Sequence, residues 1–229
     1  MTATAARIQA WSRQAIAERG VFHAALSGGN TPNALFRLIS SPELAGQFDW
    51  PHIHLWWSDE RYLPLASPEL NFNMADGALV SRIDIPSGNV HRVRVELAAG
   101  DAAADYEQAI TQLVAPAGDP PLPAFDLILL GLGDDGHTAS LFPGTVAALP
   151  ADRLVAAHFV PKVNMQRITF TPRLINAARH VMFLVSGRSK AEILQRVIHG
   201  PYQPDVLPSQ LVAPVAGDLT WMLDADAAG

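Results

Sequence analysis

The sequence contains no cysteine. Disulfide bonds, thiolate nucleophiles and cysteine-based metal sites are therefore excluded, and a reducing compartment is favoured. Long apolar runs are missing too, because none approaches the roughly 18 residues that a membrane-spanning helix needs. The N-terminal region carries Arg7, Arg13 and Arg19 and lacks the apolar segment of a signal peptide. We expect a cytoplasmic protein that has no membrane partner.

Positive charge is also scarce. The chain has 16 Lys and Arg residues against 22 Asp and Glu residues, which gives a formal net charge of -6. Nucleic acids and anionic membranes usually bind proteins through basic patches, so we expect neither partner. Hydrophobic residues make up 49% of the chain, which is enough to fill a large core. We predict one domain over residues 1–229, and either a monomer or a weak homo-oligomer.

Several catalytic motifs are absent as well. The chain has no G-x-S-x-G nucleophile elbow, no H-E-x-x-H motif and no P-loop, so covalent serine, zincin and nucleoside triphosphate chemistries lack support. His52 and His54 form an H-x-H pattern, which could indicate a metal pair. No third ligand stands at a suitable spacing, so we interpret both as histidines of a half-exposed strand and predict no metal.

Residues 131–136 match the G-x-G-x-x-G fingerprint of dinucleotide-binding folds and follow an apolar run, as that fingerprint requires. Asp134 and Asp135 would bring negative charge towards a pyrophosphate, however, and Pro143 and Gly144 would cut short the following helix. We therefore set nucleotide binding aside and expect no cofactor.

The same region holds the strongest candidates for catalysis. The apolar run Phe125–Leu130, interrupted only by Asp126, predicts a buried strand. It leads into a glycine-rich turn that carries Asp135 and His137. Of the 8 histidines, His137 alone lies in such a turn, and a neutral imidazole near a carboxylate is the usual general base at neutral pH. We predict that His137 and Asp135 are catalytic.

Strand and helix patterns alternate from end to end. Helices are indicated by apolar spacing, by Thr31 and Pro32 as a cap and first helical residue, and by a capping box of Ser189 and Glu192. The alternation predicts an α/β fold, with a parallel-dominated open sheet and helices on both faces. Strands are predicted at residues 21–26, 52–57, 125–130, 168–170, 180–185 and 219–223.

The first predicted strand runs into a glycine turn that precedes a helix. Exposed amides and the helix dipole at such a turn can bind an anion, although an ordinary tight turn between strand and helix fits the pattern equally well. The candidate binding residues here are Gly28, Gly29, Asn30 and Thr31.

Further candidate binding residues follow later strands. Asp59, Glu60 and Arg61 stand where the second strand ends, and a solvated loop with salt bridges is the competing interpretation. Because the carboxyl ends of parallel strands share one edge of a sheet, these loops can converge. Three basic residues beside a glycine turn favour a phosphorylated substrate, although each alone would be taken as a surface residue. They are Arg61, Arg167 and Lys190.

Seven segments carry a resemblance to a known family. They are LSGGNTP (26–32), WSDERYLP (57–64), NFNMA (71–75), LGLGDDGHTASLFPG (130–144), RITFTPRLINAA (167–178), SGRSKAEIL (186–194) and the WMLDADAA ending. They span nearly the whole chain in family order, and the DGHTASLFPG block is highly specific. In these segments the chain resembles the 6-phosphogluconolactonases that are related to glucosamine-6-phosphate isomerases. Val163 and Asn164 stand where that family often has a proline pair.

The resemblance implies a modified Rossmann-type fold and hydrolysis of 6-phospho-D-glucono-1,5-lactone to 6-phosphogluconate, the second step of the oxidative pentose phosphate pathway, without a cofactor. In that reaction His137 would activate water and Asp135 would orient the imidazole. Other residues would hold the substrate. Arg61, Arg167 and Lys190 would bind the 6-phosphate. Asp59 and Asn71 would contact the sugar hydroxyls, or would position other residues that contact them.

Two other functions stay open. A sugar-phosphate isomerase or deaminase on the same fold would shuttle a proton between C1 and C2. Amino-sugar deaminases resemble this chain up to Asp-Gly-His and then continue Ile-Ala-Phe-Asn-Glu-Pro, whereas residues 138–143 here carry the lactonase version, Thr-Ala-Ser-Leu-Phe-Pro. A non-catalytic sugar-phosphate sensor would be expected to carry a DNA-binding or partner module, for which we find no spare segment.

Overall fold

A five-stranded parallel sheet forms the centre of the computed structural model, which describes residues 1–229. Its strand order is β10-β9-β6-β1-β2, and every neighbouring pair runs parallel. The predicted α/β fold with a parallel-dominated sheet is thereby confirmed. The strands are β1 (Phe22–Leu26), β2 (Ile53–Trp57), β3 (Asp59–Arg61), β4 (Pro116–Ala117), β5 (Leu122–Pro123), β6 (Leu127–Gly131), β7 (Val155–Val160), β8 (Met165–Phe170), β9 (His180–Val185) and β10 (Asp218–Leu223).

Seven α-helices and several short 3-10 turns connect these strands. None of the helices is long and apolar enough to span a lipid bilayer. The helices are α1 (Thr2–Arg19), α2 (Asn30–Ile39), α3 (Asn71–Ala78), α4 (Ala99–Leu113), α5 (Pro172–Ile175), α6 (Ala191–His199) and α7 (Ala225–Ala228).

Alternate residues of β6 pack into two different cores. Ile128 and Leu130 belong to one buried cluster, which also contains residues of α4, α5 and α6. Leu127 and Leu129 belong to the other, which contains residues of α1, α2 and α3. Successive side chains of a strand point to opposite faces, so a strand that is buried on both faces needs the unbroken apolar run seen in the sequence. The helices cover both faces of the sheet, as predicted.

A second sheet has three antiparallel strands in the order β3-β8-β7. The sequence analysis did not predict it: residues 59–61 were expected to form a loop, and no strand was expected at β7. The chain passes from β2 through the buried Ser58 directly into β3, and the carbonyl of Ser58 accepts a hydrogen bond from the amide of Phe170, 2.8 Å away. This pairing joins segments more than 100 residues apart, so no local pattern records it.

Two predicted helix starts are wrong. Helix α2 begins at Asn30 with Gly29 as its N-cap, and the Thr31 hydroxyl lies 2.7 Å from that of Ser186 instead of capping the helix. Helix α6 begins after a 3-10 turn and has Lys190 as its N-cap without any side-chain cap, so the capping box of Ser189 does not form. At α2, the contact of Thr31 with Ser186 replaces the predicted cap. At α6, the 3-10 turn Arg188–Lys190 takes the place of the predicted first turn. Local capping preferences are weak enough to be overridden in this manner.

Candidate active site

A polar cavity of about 250 Å³ lies at the carboxyl edge of the large sheet, where β1, β2 and β6 end. Only 3 of its 15 lining residues are hydrophobic, which suits a substrate rich in oxygen atoms. The structure therefore brings together loops that are up to 163 residues apart in sequence, as the strand topology predicted. Eight of the predicted site residues line the cavity: Gly28, Gly29, Asp59, Arg61, Asn71, His137, Arg167 and Lys190.

Two glycines let side chains approach the backbone closely. A Cβ atom at Gly28 would stand 2.0 Å from Oδ1 of Asn71, and one at Gly133 would stand 2.0 Å from Nδ1 of His137. No real Cβ atom tolerates such a distance, so both positions require glycine while these side chains keep their places. Gly28 and Gly133 thus leave the room that the side chains of Asn71 and His137 occupy.

His137 and Asp135 form a close pair beside the cavity. Nδ1 of His137 lies 2.5 Å from Oδ1 of Asp135, which also accepts the backbone N–H of His137 at 3.1 Å. The ring stacks on Phe142 with 4.0 Å between centroids, and Gly133 lies against the imidazole as well. A carboxylate at Nδ1 favours the tautomer in which that nitrogen carries the proton. The other ring nitrogen, Nε2, is then free to accept a proton.

The second oxygen of Asp135 is bound by a residue that the sequence analysis missed. Nζ of Lys162 lies 2.5 Å from Oδ2 of Asp135. Partial burial acts to raise the pKa of Asp135, but the hydrogen bonds from Lys162 and His137 outweigh it and lower the pKa to about 2. Lys162 stands in the turn between β7 and β8, and the sequence analysis predicted neither β7 nor this hairpin.

Asp59 is fixed in the cavity wall by neighbouring polar groups. The hydroxyl of Ser140 donates to Oδ2 of Asp59 at 2.6 Å. The side-chain amide of Asn71 donates to the carbonyl of Asp59 at 2.9 Å and to its Oδ1 at 3.2 Å. All three residues are buried but line the cavity. The sequence analysis assigned no role to Ser140, because its partner lies 81 residues away in the chain.

Arg61 and Arg167 are directly opposite each other on the antiparallel strands β3 and β8. Arg167 is only 8% exposed, and its Nε has no hydrogen-bond partner. Burial lowers the pKa of Arg167, the nearby Arg61 lowers it further, and Asp59 opposes the shift. Like charges at directly opposite positions of a sheet destabilise it. Two neighbouring guanidinium groups on a cavity wall are therefore suited to a shared anion.

Lys190 reaches the cavity from the start of α6. Its ammonium group pairs with the carboxylate of Asp134, which follows β6 and is largely exposed. The glycine turn after β1 completes this side of the cavity with Gly28 and Gly29. Three cations and a helix N-terminus thus surround one polar space.

Three predicted binding residues do not line the cavity. Glu60 is 1% exposed and its carboxylate accepts the backbone N–H groups of Arg61, Asn71 and Phe72, at 2.7 to 2.8 Å. It therefore caps the N-terminus of α3, and burial raises its pKa to about 7 although these hydrogen bonds oppose the shift. Asn30 is exposed at the start of α2, and the Thr31 hydroxyl is engaged with Ser186.

The two histidines of the H-x-H pattern have separate neighbours. His52 lies on a 3-10 turn with its Nδ1 2.9 Å from the carboxylate of Asp49. Nδ1 of His54 lies 2.9 Å from Nε2 of His91 on the segment beside β2. The prediction that both lie on one strand is wrong, because β2 begins only at Ile53.

Comparison with known proteins identifies the class to which this fold and site belong. Residues 1–221 match the family described as glucosamine-6-phosphate isomerases/6-phosphogluconolactonase. The chain belongs to this family. A curated 6-phosphogluconolactonase from Synechocystis sp. is 44% identical over 218 residues, which cover 93% of this chain and 86% of that protein. A second 6-phosphogluconolactonase, from Nostoc sp., is 41% identical over 214 residues, which cover 93% of this chain and 86% of that protein.

Solved structures agree with this assignment. The 6-phosphogluconolactonase from Thermotoga maritima has a TM-score of 0.81 and 32% identity, covering 96% of this chain and 93% of that one. The 6-phosphogluconolactonase from Trypanosoma cruzi has a TM-score of 0.85 and 31% identity, and the match covers 99% of this chain and 91% of that one. A monomeric glucosamine-6-phosphate deaminase has a TM-score of 0.79 at 21% identity, and this likeness shows the shared fold alone.

Proposed function

We propose that this protein hydrolyses 6-phospho-D-glucono-1,5-lactone to 6-phospho-D-gluconate, the second step of the oxidative pentose phosphate pathway. The observation that carries the proposal is a histidine–aspartate pair in the same small cavity as three cations. The family and the relatives named 6-phosphogluconolactonase support the choice of substrate. The proposed steps use side chains and backbone amides of this chain together with water.

His137 acts as the general base. Asp135 engages Nδ1, so Nε2 takes a proton from water and the resulting hydroxide attacks the lactone carbonyl. Asp135 stabilises the imidazolium that forms. The imidazolium then returns the proton to the ring oxygen as the carbon–oxygen bond of the tetrahedral intermediate breaks. A positioned base of this kind contributes about 10²–10⁴ in rate.

Backbone amides supply the groups for the developing oxyanion. The N–H groups of Gly28 and Gly29 make no hydrogen bond to the backbone, and they precede the uncapped N-terminus of α2. Donors that are fixed before the reaction stabilise a tetrahedral oxyanion without any cost of reorganisation. The glycine turn is thus an anion site rather than an ordinary turn in this proposal.

The 6-phosphate lies against the basic residues of the cavity. A phosphate dianion between Arg61 and Arg167 would offset the repulsion of two opposed guanidinium groups, and the unpaired Nε of Arg167 would gain an acceptor. Lys190 would exchange its exposed partner Asp134 for the phosphate. Asp59 and Asn71, which are already fixed by hydrogen bonds, would contact the sugar hydroxyls.

An assay of two reactions tests the function. The purified protein is expected to hydrolyse the phosphorylated lactone above the spontaneous rate and to leave glucosamine 6-phosphate unchanged. The segment after His137 favours this outcome, because Phe142 of the lactonase-type sequence stacks on the imidazole. Ammonia release from glucosamine 6-phosphate, with no lactone hydrolysis above background, would instead assign the protein to the isomerase and deaminase side of the family.

Cellular location and assembly are separate proposals. The lack of cysteine supports the cytoplasm, and we propose a monomer or weak homo-oligomer made of one domain over residues 1–229. Some relatives carry names with other locations, such as the human endoplasmic bifunctional protein, which is 39% identical over 226 residues that cover 96% of this chain but 28% of that protein. Fractionation of the source cells and analytical ultracentrifugation would test both proposals.

A further inference from the structure

We infer that Lys162 is a positioning residue for the catalytic pair: it holds the carboxylate of Asp135 in the orientation that directs Nε2 of His137 towards the cavity. The inference rests on the proposed function for its kinetic consequences. Its structural part rests on the contacts of Asp135 alone, and the two parts are tested by different measurements.

The carboxylate of Asp135 is bound on both oxygens. Oδ1 accepts from Nδ1 and from the backbone amide of His137, and Oδ2 accepts from Nζ of Lys162. With only the His137 contacts on one oxygen, the plane of the carboxylate could still turn about the Cβ–Cγ bond. The ammonium group of Lys162 engages the second oxygen and so fixes that plane. The imidazole then keeps a single hydrogen-bond partner at Nδ1.

Lys162 reaches Asp135 from another sheet. It lies in the turn Pro161–Val163 at the end of the β7–β8 hairpin, and the next residue, Asn164, adopts a left-handed conformation with φ of 47° that turns the chain into β8. Strand β8 carries Arg167 three residues later. The hairpin thus ties the catalytic pair to the strand that carries a cation of the proposed phosphate site.

Stability does not explain this ion pair. The side chain of Lys162 is 59% exposed and that of Asp135 is 17% exposed. Ion pairs with such exposure contribute little to folding, because solvent screens them and the long lysine side chain loses conformational entropy. What the contact does provide is a second partner for the carboxylate, which lowers the pKa of Asp135. Asp135 stays ionised, so it can stabilise the imidazolium while the proton remains on His137.

Substitution of Lys162 separates positioning from substrate binding. We expect Lys162→Met to lower kcat about tenfold, a part of what the base itself contributes, with KM changed less than about twofold. Lys162→Arg should restore most of kcat, because it keeps a cation that can reach Oδ2. Combined with Asp135→Asn, Lys162→Met should lower kcat no further, since both residues act through one carboxylate.

The matched control is Arg94→Met, which removes an exposed ion pair with Asp105 outside the cavity and should leave both constants unchanged. Three results would overturn the inference: kcat of Lys162→Met equal to wild type, a raised KM at unchanged kcat, or a further loss of kcat in the Asp135→Asn background. The second of these would make Lys162 a substrate-binding residue.

A measurement without substrate distinguishes this inference from the proposed function. The ¹⁵N NMR signals of the His137 imidazole report which nitrogen carries the proton. We expect the Nδ1–H tautomer in the wild type and a mixture of tautomers in Lys162→Met. Should the wild type fail to hydrolyse the lactone while this spectral change occurs, the proposed function is wrong and the positioning role stands. Identical spectra of the two proteins would refute the positioning role.

Discussion

The imidazole of His137 is restricted by three neighbours of different chemistry. Asp135 binds Nδ1, Phe142 covers one ring face, and the bare backbone of Gly133 leaves room for the ring. Fixing a base in this manner before the substrate arrives removes part of the entropic cost of reaching the transition state. At the scale of single residues, the proposed mechanism therefore depends on the neighbours of His137 as well as on the histidine itself.

Replacement of His137 by alanine tests its role directly. His137→Ala should lower the rate of lactone hydrolysis at neutral pH at least about a hundredfold, because the base that activates water is lost. Rates are measured with the spontaneous hydrolysis subtracted, and circular dichroism checks the fold. The exposed His199 on α6 provides the control, since His199→Ala should hydrolyse at the wild-type rate. A His137→Ala protein with near wild-type activity would remove this residue from the mechanism.

At the scale of secondary-structure elements, helices α2 and α3 both begin beside the cavity and differ at their N-termini. Helix α2 has no side-chain cap, so its first N–H groups and its positive dipole end are open to an anion. Helix α3 is closed, because the carboxylate of Glu60 from β3 accepts two of its first N–H groups. Of these two helices, only α2 could hold the oxyanion of the proposed mechanism, whereas the carboxylate of Glu60 closes α3.

The buried cap of α3 should make stability depend on pH. The pKa of Glu60 is raised from 4.5 to about 7, so the folded state holds this proton more tightly than the unfolded chain does. This tighter proton binding adds up to roughly 3 kcal/mol to the free energy of unfolding. The added stability is fully present below about pH 4.5 and is lost as the pH rises through about 7. Glu60→Gln lacks this titration. Denaturant unfolding of both proteins across this range should show wild type losing stability relative to the variant.

The control for this prediction is Glu192→Gln on the exposed side of α6, whose difference from wild type should not vary with pH in this manner. A constant difference between Glu60→Gln and wild type from about pH 4.5 to about pH 7.5 would contradict the prediction, because it would mean that folding does not raise the pKa of Glu60.

At the scale of the whole molecule, the cavity is shared between two sheets. Asp135 and His137 follow β6 of the parallel sheet, whereas Arg61 and Arg167 belong to the antiparallel sheet. In the proposed complex, turns of the parallel sheet hold the reacting carbonyl, and the antiparallel sheet supplies two of the three cations that bind the phosphate. Binding energy from the remote phosphate can then be used to position the carbonyl, which raises the rate of the chemical step.

Removal of the phosphate from the substrate tests this division. Gluconolactone should have a kcat/KM at least about a hundredfold below that of the phosphorylated lactone, because the cations would lack their partner. Arg167→Met should lose much of this discrimination, whereas Arg173→Met, on the outer surface of α5, should retain it. Turnover of both lactones at the same rate would contradict the assignment of the cations to the phosphate.

Some features of this site could be predicted before the structure was known. The strand and glycine turn of residues 125–137 place a histidine and a carboxylate at the edge of a parallel sheet, and the motif order carries the resemblance to the family. The convergence of Asp59, Arg61 and Lys190 on that edge followed from strand topology. The strand, the turn and the pair of Asp135 and His137 could be predicted because each depends on residues that are close together in the sequence.

The sequence by itself determined the α/β class, the central strand and the pair of Asp135 and His137, since each depends on residues close together in the chain. Only the tertiary structure decided that Glu60 caps a helix, that Lys162 binds Asp135 and that two arginines stand opposite each other. These contacts surround an antiparallel sheet in which β3 pairs with β8, a strand more than 100 residues further along the chain. Pairing of that kind depends on the packing of the whole chain, which leaves no periodic pattern in the sequence.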